Sequence, residues 1–119
     1  MKVKTSSLSG MALNWAVTLI ELERQEQVGE HVKGWLANDI RAGRCIYPYS
    51  TDWLWGGPII DRMKFEFKFN KSDQLFRVLD NKRHCWRGET HLIAAMRAYL
   101  ASVKGDEIEF PMAAKCFAS

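Results

Sequence analysis

Apolar residues in this chain recur with two different periods, and the change of period divides it into elements. Residues 1–5 alternate polar and apolar, which predicts a short strand. Leu8, Ala12, Trp15 and Leu19 then follow at helical spacing, and Leu13, Val17 and Ile20 widen the stripe. The result is a broad-faced, largely buried helix with Ser7 or Ser9 as its N-cap. Trp15 is a core residue of that helix, and Asn14 is its one odd polar residue, placed to bond a neighbouring loop. Residues 21–30 are charged and favour helix, with Gly29 as the break. Val32, Trp35, Leu36 and Ile40 predict a second helix over Glu30–Ala42, closed by Gly43, although Gly34 inside it counts against that assignment. His31 is a solvated residue at the helix start, since no second metal-binding side chain lies one turn away.

The second half opens on strand periodicity. Cys45-Ile46-Tyr47 suggests a short strand stopped by Pro48. Phe65, Phe67 and Phe69 alternate with Glu66 and Lys68, the pattern of a strand with one dry and one wet face. Turns at Asn70–Asp73 and Asp80–Lys82 separate it from strands at Leu75–Leu79 and Arg83–Arg87. Connections this short favour an antiparallel three-stranded meander. Thr90 caps a last helix whose core stripe is Ile93, Met96, Leu100 and Val103, with Arg97 on its flank and Gly105 as its stop. Asp106–Phe110 alternates as an edge strand ended by Pro111. The expected fold is α+β: an antiparallel sheet of three to five strands packed by two or three helices, one domain over residues 1–119 with 112–119 a frayed tail.

Composition narrows the class. A chain of 119 residues can bury about two-thirds of its unfolded surface and needs no staples. No run approaches the roughly 18 apolar residues of a membrane helix, so the expectation is a cytosolic, unanchored protein without a membrane partner. Cys45, Cys85 and Cys116 are odd in number and lack CxxC spacing, which argues for reduced thiols and against a disulfide framework or a zinc site. No cofactor is expected. Net charge is +3, with an acidic stretch at 21–30 and a basic one at 62–87. That bias permits an anionic partner, and it equally describes a solvated sheet face guarded by lysines.

Unusual residues concentrate at Tyr49–Arg62, which holds Trp53, Trp55, Gly56, Gly57 and Pro58. Gly-Gly-Pro predicts a shaped loop with exposed amides. In that loop Trp53 or Trp55 can stack on a base, and the Gly56 and Gly57 amides can form a phosphate nest. Arg62 and Arg97 can clamp an anion, and Asp52 can accept from an exocyclic amine or cap the turn. The candidate ligand-binding residues are Tyr49, Asp52, Trp53, Gly56, Gly57, Pro58, Arg62 and Arg97. The same features also describe a packing corner in which Trp53 plugs the core and Arg62 ties Asp52 or Asp61.

Three blocks together resemble the NinX family of lambdoid phages and prophages. The first is Met1–Ser6 with Leu13-Asn14-Trp15-Ala16-Val17. The second is Tyr49-Ser50-Thr51-Asp52-Trp53 with Gly56–Arg62, and the third is Leu92–Tyr99 running to Gly105-Asp106-Glu107. The chain departs from the family at Leu54-Trp55, where a more polar pair is usual, and at Asn14, where an acid is common. The resemblance implies a phage accessory protein dispensable for basic growth, and it carries no activity residue by residue.

Four function classes follow. The first is a non-enzymatic binder of an anionic, nucleotide-like ligand, with sequestration of a host immune signal as its use. The alternatives are a nucleic-acid binder and an inhibitor of a host protein. Catalysis is least favoured: no HExxH, P-loop or nucleophile elbow is present, and nothing in the spacing brings His84 or His91 to Asp52 or Asp106. The sequence is compatible with self-association.

Overall fold

The computed structural model describes residues 2–28, 34–44, 46–79 and 84–109. Four helices and five strands follow one another as β1 (Lys2–Lys4), a 3-10 turn (Thr5–Ser7), α1 (Gly10–Val28), α2 (Gly34–Arg41), α3 (Trp53–Met63), β2 (Glu66–Asn70), β3 (Leu75–Leu79), β4 (Cys85–Gly88), α4 (His91–Lys104) and β5 (Glu107–Glu109). The fold is α+β, with one helix more than predicted. His31 and the break at Gly29 lie outside the described residues, as do Cys45, Arg83, Phe110 and the tail.

The strands form two antiparallel sheets. β2, β3 and β4 make the expected meander. Phe67 faces Val78 and Val78 faces Trp86 across it, so these three share the inner face, and Val78 at its centre is fully buried. β1 pairs with β5, Val3 opposite Ile108, which joins the first and last described strands. Of the predicted strand at Cys45–Tyr47, the described residues Ile46 and Tyr47 are not in a strand.

α4 is the hub. It packs on β3 and β4 from one side, on α1 and α3 from others, and touches the 3-10 turn and β5. Leu92, Ala94, Ala95, Met96, Ala98, Tyr99 and Leu100 are all buried, more than one stripe of a surface helix supplies. Small residues let the neighbours close in. Gly88 of β4 lies so near α4 that a Cβ there would overlap the Ala94 amide and come within 2.9 Å of Ala94 Cα. α1 is buried from Ala12 to Leu22 apart from half-buried Leu19. Trp15 fills the core as predicted, and its Nε1 donates to the Ile40 carbonyl at 2.8 Å, fastening α1 to the end of α2.

The largest departure from expectation is at Tyr49–Arg62. Residues 53–63 are helical, and neither Gly56 nor Gly57 takes a positive φ. Asp52 starts the helix: its Oδ1 accepts from the Leu54 amide at 2.9 Å, and its carbonyl accepts from Trp55 and Gly56. Pro58 sits inside α3 and cannot donate to the Leu54 carbonyl. Leu54 is 77% exposed, so water can serve that oxygen. Gly56 is required for proximity instead of for a turn: a Cβ there would meet the Tyr49 carbonyl and come within 2.6 Å of Leu92 Cδ2. At Gly57 a Cβ would meet only the Trp53 ring, at 3.7 Å.

The two glycines should therefore respond in opposite directions to alanine. Gly56→Ala is expected to destabilise by about 1–3 kcal/mol through overpacking. Gly57→Ala is expected to be neutral or to stabilise by about 0.5–1 kcal/mol, as a glycine removed from a helix interior. Urea melts of the two variants beside wild type check the signs.

Candidate functional site

A helix separates what a loop would have gathered. Residues two apart on a helix point to opposite sides, so Trp53 and Trp55 diverge. Trp55 turns inward and stacks on Tyr47, ring centroids 4.5 Å apart and 13° from parallel. Tyr49 is buried edge-on against it at 5.8 Å, and burial drives its phenol pKa well above the ordinary value. Trp53 turns outward and is 56% exposed. Pro58 is exposed on α3, and the amide of Gly56 is taken by the Asp52 carbonyl within the helix. The predicted phosphate nest is therefore not formed, because the helix aligns these amides along its own axis.

Arg62 lies seven residues after Trp55, on the same inward face of α3. Its Nη2 donates to Glu21 Oε1 at 2.8 Å and to the Tyr99 hydroxyl at 2.9 Å, and its guanidinium carbon lies 5.3 Å from the Tyr99 ring centroid. The Tyr99 hydroxyl donates to the same Glu21 oxygen at 2.8 Å, and Arg24 Nε donates to Oε2 at 3.0 Å. Burial alone would raise the Glu21 pKa; the hydrogen bonds from Arg62, Tyr99 and Arg24 outweigh it and hold the carboxyl below its ordinary 4.5. Burial and the Glu21 charge push the Tyr99 hydroxyl up to about 12. Arg62 thus ties α1 to α3 and α4, and its ion-pair partner is Glu21 instead of Asp52 or Asp61.

Arg97, half-buried, is likewise engaged within the fold. Its Nε donates to the Leu8 carbonyl and its Nη1 to the Arg87 carbonyl, both at 2.7 Å, pinning α4 to the start of α1 and to β4. Burial pulls its pKa down, and Glu89 offsets part of that. Asn14 does what its odd position predicted: Oδ1 accepts from the Ser50 amide at 2.8 Å and the Ser50 hydroxyl at 2.6 Å. Thr18, one turn on, accepts from the Tyr47 amide at 3.1 Å. These bonds set the path of residues 47–50 and deliver the chain to Asp52.

The cleft at this end of the molecule has a volume of about 270 Å³ and is lined by Ser50, Thr51, Trp53, Thr90, His91, Leu92 and Ile93. Of the predicted site residues, Trp53 is the one that lines it. It opens where α3 and α4 both begin. Thr90 Oγ1 accepts from the Ile93 amide at 3.1 Å, and the amides of His91 and Leu92 have no hydrogen-bond partner among the described residues. A helix start of this kind carries partial positive charge. His91 is ringed by aromatics: Phe76 at 3.9 Å, Phe67 at 5.0 Å and Trp53 at 6.1 Å between ring centroids. Sequence reasoning found Thr90 as a cap but missed the cleft it borders. The available signal was the capping residue beside a histidine; the approach of α3 has no sequence signature.

The Glu21 cluster has a measurable consequence. Because the folded pKa of Glu21 is depressed, its contribution to stability is complete above the unfolded pKa and is lost as pH falls through the folded value. Wild type should lose more stability between about pH 7 and about pH 3 than Glu21→Gln does, measured by urea melts. At neutral pH Arg62→Met is expected to cost roughly 1.5–3 kcal/mol, the scale of a hydrogen bond to a charged group.

Among the described residues no helix is long and apolar enough to cross a membrane. No curated protein matches the chain. Residues 4–103 take in α1, α2, α3 and all but the last residue of α4, the Glu21 cluster that joins three of these helices and the cleft at the start of α3 and α4; this span matches the family model described as Bacteriophage P22, NinX, and the chain belongs to that family.

Proposed function

We propose that this phage protein is a non-enzymatic binder of a flat, anionic, nucleotide-like ligand, held in the cleft between Trp53 and the first turn of α4, and that it acts by sequestering such a molecule in the host cell. The observation that carries this reading is the exposed Trp53 indole beside a helix start with unpaired amides. An indole 56% exposed contributes little core packing, and it offers a face on which a base can stack. The amides of His91 and Leu92, with the positive end of α4, suit the anionic group. Thr51, Thr90 and His91 supply polar groups around the rim. The Asp52 carboxylate, engaged at the start of α3, disfavours an anion at that end and directs it toward α4. Arg62 and Arg97 serve the site indirectly, by holding α3 and α4 in place.

A second reading has its own support. Leu54 is 77% exposed next to Trp53, an apolar pair at the solvent side of α3 that fits a host-protein contact.

Calorimetric titration with mononucleotides, dinucleotides and cyclic nucleotides is expected to give saturable binding by at least one of them. Trp53→Ala should weaken it by about 1–3 kcal/mol, the usual worth of stacking, and Leu54→Ala should leave it unchanged. No heat and no rise in melting temperature at millimolar ligand would rule out the nucleotide reading. Capture of a host protein that Leu54→Ala abolishes would favour the second.

A further inference from the structure

β2 is an outer strand: β3 pairs with one side of it, and among the described residues no strand pairs with the other. Its inner face carries Phe67 and Phe69, with core-packed Phe65 immediately before its first residue, and Phe69 is 46% exposed. Its outer face carries Glu66 and Lys68, both exposed. A lysine in mid-strand ordinarily discourages strand addition, because pairing would leave its charge without a match. Here the match lies two residues away on the same strand.

We propose that two copies of this chain pair β2 with β2 in antiparallel fashion across a two-fold axis at Phe67, fusing the two three-stranded sheets into one. In this register Glu66 lies opposite the partner's Lys68, and Lys68 lies opposite the partner's Glu66. Phe67 faces the partner's Phe67, and Phe65 faces the partner's Phe69, so the exposed ring is covered. Directly opposed opposite charges and aromatic pairs are the combinations that stabilise antiparallel strands. The neighbouring registers lack them. A slip of two residues one way opposes Glu66 to the partner's Glu66; the other way opposes Lys68 to the partner's Lys68. A slip of one residue sets each charged residue against a phenylalanine and turns an apolar face to water. The charges therefore select one register instead of forbidding all of them. The interface is isologous, as two-fold symmetry demands. It rests on one short strand, so the dimer is small in area and dissociates on dilution. Phe67 touches His91, so both ligand clefts lie on the same side of the joined sheet.

Sedimentation equilibrium of the full chain over a concentration series tests this. Wild type is expected to show a reversible monomer–dimer equilibrium. Glu66→Lys and Lys68→Glu, each alone, should weaken it by about tenfold or more, because both symmetry-related pairs become like-charged. Mixing the two single variants should restore association, since an acidic edge then meets a basic one, and the double variant Glu66→Lys/Lys68→Glu should dimerise like wild type. Far-UV circular dichroism verifies that each variant folds, and Trp53→Ala should leave the equilibrium untouched. A wild-type monomer at every concentration overturns the proposal. A dimer that neither single variant weakens, or a mixture that fails to associate, overturns it as well.

Discussion

One carboxylate joins three helices. Glu21 of α1 receives Arg62 from α3 and Tyr99 from α4, with Arg24 closing its second oxygen. A carboxylate this deeply buried is costly to desolvate, and only near-complete hydrogen bonding makes it tolerable. That condition acts as a positional constraint: the three helices must meet with Arg62 and Tyr99 on one oxygen. Asn14 and Thr18 extend the same logic along α1. At spacings of four and three residues, Asn14, Thr18 and Glu21 form a polar stripe on the buried, otherwise apolar Ala12–Leu22 stretch of α1, and each bonds a different part of the Tyr47–Tyr99 region. No buried side-chain polar atom among the described residues is left without a partner. Apolar packing makes this core stable; the polar stripe makes its arrangement specific.

The constraint also decides where chemistry can occur. Both arginines that might have clamped an anion are held by internal acceptors: Arg62 by Glu21 and Tyr99, Arg97 by two backbone carbonyls. What they produce is geometry. Arg62 holds α3 against α4, Arg97 holds the α4 flank against β4, and the starts of α3 and α4 converge on one cleft. The cleft is bordered by an indole, a histidine set among phenylalanines and the start of α4, whose first amides have no partner among the described residues. Gly56 and Gly88 allow this convergence by removing side chains where backbone must pass close to α4 or to its neighbour.

Periodicity identified the buried helix with Trp15, the meander from Phe65 to Arg87, the Thr90-capped helix and the terminal edge strand, because each is written in local spacing of apolar residues and in capping or turn residues. It even marked Asn14 as a residue seeking a loop. It misjudged Tyr49–Arg62 because Gly-Gly-Pro is locally a helix-breaking signal. Asp52 capping, burial of Ile59 and the inward pull on Arg62 outweigh the propensity cost of about 1 kcal/mol for each glycine and about 3 kcal/mol for the proline. Once that segment is helical, its two tryptophans separate and the predicted site disperses.

From its own order of residues, then, the chain determined which stretches become helix or strand, which faces turn inward and to which phage family it belongs. Those properties depend on neighbours a few positions apart, or on sequence blocks that can be read without coordinates. Only the tertiary structure decided that Arg62 meets Glu21 across forty-one positions, that Arg97 reaches Leu8 across eighty-nine, and that Trp53 shares a cleft with His91. Such contacts are settled by the mutual satisfaction of buried charge and by backbone proximity at glycines, and neither has a period that a sequence can display.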